Sequence, residues 1–513
     1  MPEEDHRYLV AEEFTMPDLG AAGKGGTRVA VRPPVTLKAT YYDTADRLLA
    51  RAGVSLRHRK GESAAKAWTV HLPSSVAGVR HEHSRPATRP GVVPPVLLDL
   101  VTAYRRGADL APAAVLRTVR TVHDVVNRDG TVLAEVADDV VTVLDGRKVA
   151  HRFREITLEL RAGPPRLLDR LEDLLLTAGA TASDFVPEHV RALTADGPLA
   201  DPAVPPPAPL RRKARAGDVV TEAIRRDVAR IVRHDPFARL RETLPGGDTP
   251  VHQMRVGTRR LRSDLQTFQA LLVPSWTATL RAELSWLADA LGGARDIEVL
   301  RARLRQTAAR DPLVPLDAAA VERIDAELAA RHEDALTALD EALHAPRYVA
   351  LLDSLVEAAR APHLSPLASA RAVEVLPGIV RRPWRRLAYG GGAAPAAGGL
   401  TLDLPDDEWH EVRKRAKRAR YAADAAAPIV GADAVLLAKA IAKAQNVLGE
   451  HQDAAIAADA WLDIAKSDPD DHTLAVTAGR LFERERAAVT RSRNTFPAVW
   501  AAVMEEKNIA WLK

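Results

Sequence analysis

The sequence predicts a two-domain α+β chain, with an antiparallel β domain ahead of an all-helical one. Short β-rich runs separated by Gly, Pro or charged turns fill the stretch from Val54 to Leu160. A proline cluster, GPLADPAVPPPAP at residues 197 to 209, then disfavours both helix and sheet and acts as an extended spacer. Beyond it, alanine-rich and leucine-spaced stretches carry helical periodicity. At 513 residues the chain is too long for one typical core, and 47% hydrophobic residues is ordinary for a globular protein.

In the first domain VSLRHRK, AWTVHLP, RTVHDVV, TVLAEVADDVVTVL and FREITLEL read as strands of an antiparallel sheet or barrel. LLDRLEDLLLTAGA reads as a helix with a glycine-containing stop. In the second domain TLRAELSWLADAL and the stretch from Leu437 to Gln445 suit amphipathic helices. The expected boundaries are 1–196 for the first domain, 197–213 for the linker and 214–513 for the second. GGGAAPAAGG, residues 390–399, is expected as a seam between halves at about 214–389 and 401–513.

Zero cysteines exclude disulfides, thiolate metal sites and cysteine nucleophiles. The start MPEEDHRYLV lacks the apolar core of a signal peptide, and no apolar run approaches bilayer length, so the cytoplasm is the expected compartment. The net charge is only +4, so positive charge that matters has to be local.

It is local. The pattern His-x-x-Arg-x-x-x-(Arg/Lys)-Arg-x-Arg occurs at His252 and again at His410. Each copy is followed at nearly the same distance by a second landmark, LGGARD ending at Asp296 and LGEHQD ending at Asp453, which reads as an internal duplication. On a helix His252, Arg255, Arg259 and Arg262 fall within roughly 80° of one another, opposite an apolar side of Met254, Leu261, Leu265 and Phe268. His410, Arg413, Lys414, Lys417 and Arg420 repeat the stripe, with Val412, Ala416, Ala419 and Ala423 as its small apolar side. A solvated surface helix normally mixes signs, whereas these stripes have only Glu411 and Asp264 nearby as acids. A bound polyanion explains two uncompensated stripes better, and arginine or lysine serves phosphate equally at the offset shared by Arg259 and Lys417. HEVRK lacks the second histidine of a zinc motif, and the histidines are expected as phosphate ligands or as supports beside them.

VHQMRVGTRRLR, LGGARD, HEVRKRAKRARYA and LGEHQD strongly resemble the CHAD family, the conserved-histidine all-helical domain, over roughly residues 214 to 510. The resemblance implies a pair of four-helix bundles with pseudo-twofold symmetry, whose basic helices line a groove or pore that binds inorganic polyphosphate. The matching positions are His252, Arg255, Arg259, Arg260 and Arg262, then His410, Arg413, Lys414, Lys417, Arg418 and Arg420. Arg295 and His451 are expected to reach the same groove, while Asp296 and Asp453 are expected to be structural. Gly257 inside the first stripe points to close packing of a neighbouring helix.

YYDTADRLLARAGVSLRHR, DGTVLAEVADD and REITLEL together resemble a CYTH domain, the triphosphate tunnel fold, over about residues 5 to 195. Members that hydrolyse triphosphates carry Glu-x-Glu-x-Lys-Phe on the first strand to hold a divalent metal. Aligned on Phe14, those positions are Leu9, Ala11 and Glu13, so both metal carboxylates and the lysine are missing; SDFVPEHVRAL also lacks the late lysine. Arg57, Arg59, Arg117, Arg120 and Arg154 are candidates to hold an anion in the tunnel, with Glu135, Asp138 and Glu159 as residual metal ligands; mutual pairing of these charges is the alternative.

The sequence therefore favours a noncatalytic polyphosphate-binding protein. It would need no cofactor, would have inorganic polyphosphate as its partner rather than a membrane, and would sit at polyphosphate granules if that ligand is right. The runner-up is a Mg- or Mn-dependent triphosphatase or polyphosphatase using the tunnel. Nucleic-acid binding is disfavoured, because only Phe268 and Tyr421 interleave with the stripes and base stacking needs more.

Overall fold

The computed structural model describes residues 6–23, 27–61, 67–73, 80–86, 91–182, 188–194, 198–244, 246–310, 313–391 and 395–512. The chain divides into two compact units, Met1–Ala203 and Val204–Lys513, and the division falls inside the proline cluster.

The first unit is built on one ten-stranded antiparallel sheet. Its strands are β1 (His6–Val10), β2 (Arg28–Val31), β3 (Val35–Asp43), β4 (Ser55–Lys60), β5 (Trp68–Pro73), β6 (Arg80–Arg85), β7 (Ala111–Val126), β8 (Val132–Asp145), β9 (Lys148–Leu160) and β10 (Thr181–Ala182). They pair in the order β10-β1-β9-β8-β7-β3-β4-β5-β6, with β2 on β7. Short helices α1 (Leu48–Arg51), α2 (Pro95–Leu100) and α3 (Thr102–Arg105) link strands, and α4 (Pro165–Thr177) and α5 (Glu188–Leu193) follow β9. Tight turns create the long β7-β8-β9 meander. In one, Gly146 at φ 58° opens the turn between the paired residues Asp145 and Lys148, a conformation that favours glycine.

Alternation along the strands gives the sheet two distinct faces. On one, Tyr8, Val125, Val136, Ile156 and Leu158 bury against Leu167, Leu171 and Leu175, the stripe that α4 presents at helical spacing. The other is apolar at one end, where Ala39, Tyr41, Leu116, Val141, Val143 and Phe153 cluster, and carries charged residues further along.

The second unit is helical: α6 (Ala216–Leu240), α7 (Pro250–Thr267), α8 (Pro274–Ala308), α9 (Ala318–His344), α10 (Pro346–Arg360), α11 (Ala372–Tyr389), α12 (Asp406–Val430), α13 (Ala432–Ser467), α14 (His472–Val503) and α15 (Glu506–Ile509). α6 packs on α7, α7 on α8 and α8 on α9; α11, α12, α13 and α14 follow the same succession. Leu304, Ile324 and Leu328 from the first set share a core with Trp461, Ile464, Leu474 and Leu481 from the second. Arg303 adds an ionic clamp, donating from Nε to the fully buried Glu485 at 2.7 Å and from its two terminal nitrogens to Glu450 at 2.8 and 3.0 Å.

The glycine-rich stretch expected as the seam lies elsewhere in this scheme. Because α11 packs on α12 as α6 does on α7, the described part of 390–399 connects two helices within the second set, where residues 241–249 connect the first. The two sets meet instead at their starts. Ala216 N–H donates to Ala370 O at 2.9 Å and Ala372 N–H donates to Ala214 O at 3.0 Å, pairing Arg215 reciprocally with Arg371. α10 is the element between the sets.

Candidate functional site

The two basic helices start by different means. Thr249 caps α7, its hydroxyl accepting from the His252 backbone N–H at 3.2 Å, with Pro250 at the first helical position. Asp406, Asp407 and Glu408 place acid in the first turn of α12, where the helix dipole favours it. The apolar sides are fully buried as their periodicity requires: Met254, Leu261, Leu265 and Phe268 on one helix, Val412, Ala416, Ala419 and Ala423 on the other. At Gly257 an added Cβ would stand 3.0 Å from Ile231 Cγ1 and 3.1 Å from Asp227 O, so α6 approaches α7 there more closely than a side chain would allow.

α7 and α12 pack against each other, and their stripes meet. Arg255 pairs with Asp296 at 2.9 Å and Arg413 with Asp453 at 3.5 Å, so each stripe's first arginine reaches the aspartate of its own downstream motif. Arg259 and Lys417, at the shared offset, have no hydrogen bond or ion pair among the described residues. Four cations thus face two carboxylates. The consequence is visible at Lys417, whose ammonium is pushed down to about 7 by burial and by Arg259, Arg413 and Arg255. Burial, with Arg259 and Arg255 adding repulsion, likewise lowers Arg413. The Nε atoms of Arg259 and Arg413 are buried without acceptors.

The other sequence candidates surround this cluster or turn from it. His410 Nδ1 donates to Gln452 Oε1 at 2.5 Å, and burial keeps His252 and His410 below the usual imidazole range, so both are neutral near pH 7 rather than double donors. Arg295 donates to Glu298 at 2.8 Å. Arg260 stands over Tyr421 at 5.1 Å and near Asp424 at 3.9 Å; Arg420 shares that ring at 5.1 Å and that carboxylate at 3.8 Å. Arg262 is half-exposed without a partner among the described residues. Lys414 and Arg418 lie on the flank of α12 away from Arg413 and Lys417, with Lys414 paired to Glu411. His451 must be removed from the groove. It is 1% exposed, stacked on Trp409, and its Nε2 lies 3.2 Å from both Arg493 Nε and Asp406, joining three helices in the core.

Comparison with known proteins places both units. A CHAD domain model matches residues 222–462 and a CYTH domain model matches residues 9–180. The chain is a CYTH–CHAD protein. "Uncharacterized protein Rv2226" of Mycobacterium tuberculosis strain H37Rv is 33% identical over 526 residues, covering 97% of this chain and 95% of that one. Among solved structures, PptA from Streptomyces chartreusis aligns at TM-score 0.46 and 24% identity over 56% of this chain and 100% of its own. The CHAD domain of the plant Ricinus communis aligns at 0.45 and 24% over 58% and 95%. HpAC1 from Hippeastrum, described as having a dominant triphosphatase activity, aligns at 0.24 and 18% over 39% and 98%.

The CYTH domain of this CYTH–CHAD protein sorts its charges by strand register. Arg57, Arg59 and Arg120 share the face of Ala39 and Tyr41, whereas Arg117 and Arg154 project to the α4 face. Arg120 makes a bidentate pair with the fully buried Asp139 at 2.8 and 2.7 Å. Arg154 does the same with Asp138 and also donates to Phe14 O at 2.7 Å, fixing the segment after β1.

The expected metal ligands are not brought together. Glu135 and Glu159 are cross-strand partners on one face while Asp138 is on the other, so the three cannot hold one ion. Glu135 is taken by Arg32 and Arg161, Glu159 by Arg161 and Asp138 by Arg154. Sequence reasoning missed Glu155, which faces Leu9 across the strands and is paired with Arg7 at 3.2 Å. An alternation count fixed on β1 and β9 would have found it. No grouping of three or more His, Asp or Glu suited to a metal occurs among the described residues. Among the described residues, the carboxylates that the sequence offered as residual ligands therefore do not form one divalent-ion site.

Proposed function

We propose that this protein binds inorganic polyphosphate along the groove between α7 and α12, and that its CYTH domain contributes no hydrolysis. The carrying observation is the excess of cations over carboxylates at Arg255, Arg259, Arg413 and Lys417, with two of them unpaired. Folding gains nothing from crowding these charges, so a ligand that supplies several closely spaced anionic oxygens is the natural counterpart. A phosphate chain does so without bases to stack, and the groove has little aromatic surface to offer them: Tyr421 is buried beneath Arg260 and Arg420.

The test is titration of the whole protein with long-chain polyphosphate beside duplex DNA, RNA and ATP, assaying phosphate release with magnesium or manganese in the same samples. Tight polyphosphate binding without release is expected; metal-dependent release would revive the hydrolase, and equal binding of nucleic acids would reduce the groove to a general polyanion site. Because phosphate contacts release counterions, four cations predict a logarithmic salt slope of roughly −3 to −4. Salt-insensitive binding would contradict the groove.

A further inference from the structure

The two helix sets keep the same arginines in different company. Aligned on the paired residues Arg215 and Arg371, α6 and α11 set Arg226 against Arg382 and Arg230 against Arg386. Aligned on the two histidines, α7 and α12 set Arg260 against Arg418. In the first set these arginines surround two buried carboxylates, Asp227 and Asp264, which are 0% and 1% exposed. Arg226 reaches Asp227 at 3.4 Å and Asp264 at 3.3 Å, and Arg260 stands 4.0 Å from Asp227. In the second set the same alignments put Pro383 at the position of Asp227 and Ala422 at that of Asp264. The cations are kept and both counter-charges are gone.

An open cavity of 650 Å³ lies beside Pro383, lined by the exposed Arg382, Arg386, Lys414 and Arg418, by Arg415 and Glu411, and by Gln266, Thr267 and Gln269 at the end of α7; Ala422 is fully buried and does not line it. The side chains of Arg382, Arg386 and Arg418 make no hydrogen bond or ion pair among the described residues. Glu411 is occupied by Lys414, and Arg415 is turned to the carbonyls of Gly391 and Pro395. Partial desolvation and the neighbouring Arg281 and Arg386 hold Arg418 below the usual guanidinium range, and Glu411 only partly opposes them.

We propose that this cavity is a second anion site, separate from the α7–α12 groove, which takes a phosphate group as the counter-ion of arginines whose first-set counterparts are held by Asp227 and Asp264. On α12, Lys414 and Arg418 point roughly 100° away from Arg413 and Lys417, so one helix serves the two sites from two flanks. Planar guanidinium forks suit a terminal phosphate, which presents three oxygens and extra charge. The phosphate comes either from a chain end or from free inorganic phosphate.

The experiment uses the full chain carrying Arg255→Ala and Lys417→Ala, which disables the groove but not the cavity, titrated calorimetrically at low salt with inorganic phosphate, linear tripolyphosphate and cyclic trimetaphosphate. Linear tripolyphosphate should bind this variant as it binds the cavity of the unmodified protein. Adding Arg382→Gln and Arg386→Gln should weaken it by roughly tenfold or more. Ala422→Asp, which restores an internal counter-charge, should do the same; the arginine pair decides the matter if the buried aspartate prevents folding. Competition by inorganic phosphate identifies a free anion as the ligand, and preference for the linear over the cyclic trimer identifies a chain end. Absence of tripolyphosphate binding in the groove variant, or affinity unchanged by the arginine pair, overturns the site. Full retention of long-chain affinity in the groove variant would instead overturn the groove reading and leave the cavity standing.

Discussion

Replacing Arg255, Arg259, Arg413 and Lys417 together by alanine is expected to weaken long-chain polyphosphate binding by roughly 10³-fold or more, since each charge-assisted contact contributes about 1.5–3 kcal/mol and four are removed. The helical circular dichroism should be unchanged and the melting temperature equal or higher. Stability should survive because these side chains repel one another in the free protein; their removal orphans only Asp296 and Asp453, whose side chains are 62% and 40% exposed and can turn to water. Binding that survives the quadruple change would remove the assigned face.

The stripes and their apolar sides were legible because helical periodicity is strict and the motif occurs twice, whereas Asp296 and Asp453 read only as structural and their pairing with Arg255 and Arg413 needed the fold. His451 was not. Its position in LGEHQD invited a groove role, yet it falls on a buried face of α13, and only the packing of Trp409 and Arg493 against it reveals this. The seam failed for a related reason: glycine content marks flexibility, not symmetry. Aligning Arg225, Arg226 and Arg230 with Arg381, Arg382 and Arg386 would have placed the repeat boundary ahead of α11.

In the CYTH domain the sheet and the α4 helix were legible from alternation and from a 3.6-residue stripe, and so was the loss of the first-strand carboxylates. Which face each charge takes was not, because a single residue of register moves a side chain across the sheet. That is how Asp138 and Arg154 were grouped with Glu135 and Arg120, although they lie on opposite faces. The charges that do share a face are arranged as pairs, Arg120 with Asp139 and Arg7 with Glu155. Arginine is thus the counter-ion of the buried carboxylates Asp139 and Glu155.

Lys417 should make binding depend on pH in a way that Arg259, its counterpart, cannot. In the free protein its ammonium titrates at about 7, far below the usual 10.5, because burial and three arginines oppose its charge. A polyphosphate chain reverses the sign of that surrounding field and raises the pKa. Between the free and bound values the complex holds a proton that the free protein lacks, so at pH 8 binding should take up close to one proton and affinity should fall by up to about tenfold per pH unit. Calorimetry in buffers of different ionisation enthalpy measures that proton directly. His252 and His410 titrate lower and are neutral in the free protein at that pH, so Lys417→Arg separates the contributions. Arginine stays charged, hence this variant should keep its affinity and lose the uptake. The stability linkage has the opposite sense. A lysine depressed on folding is penalised fully below pH 7 and is relieved as pH rises towards 10.5, so Lys417→Met should stabilise the free protein at pH 6 by roughly 1–3 kcal/mol while weakening binding. Proton uptake that persists in Lys417→Arg, or a Lys417→Met variant no more stable than the parent at pH 6, would show that the crowded ammonium is not where binding and folding are opposed.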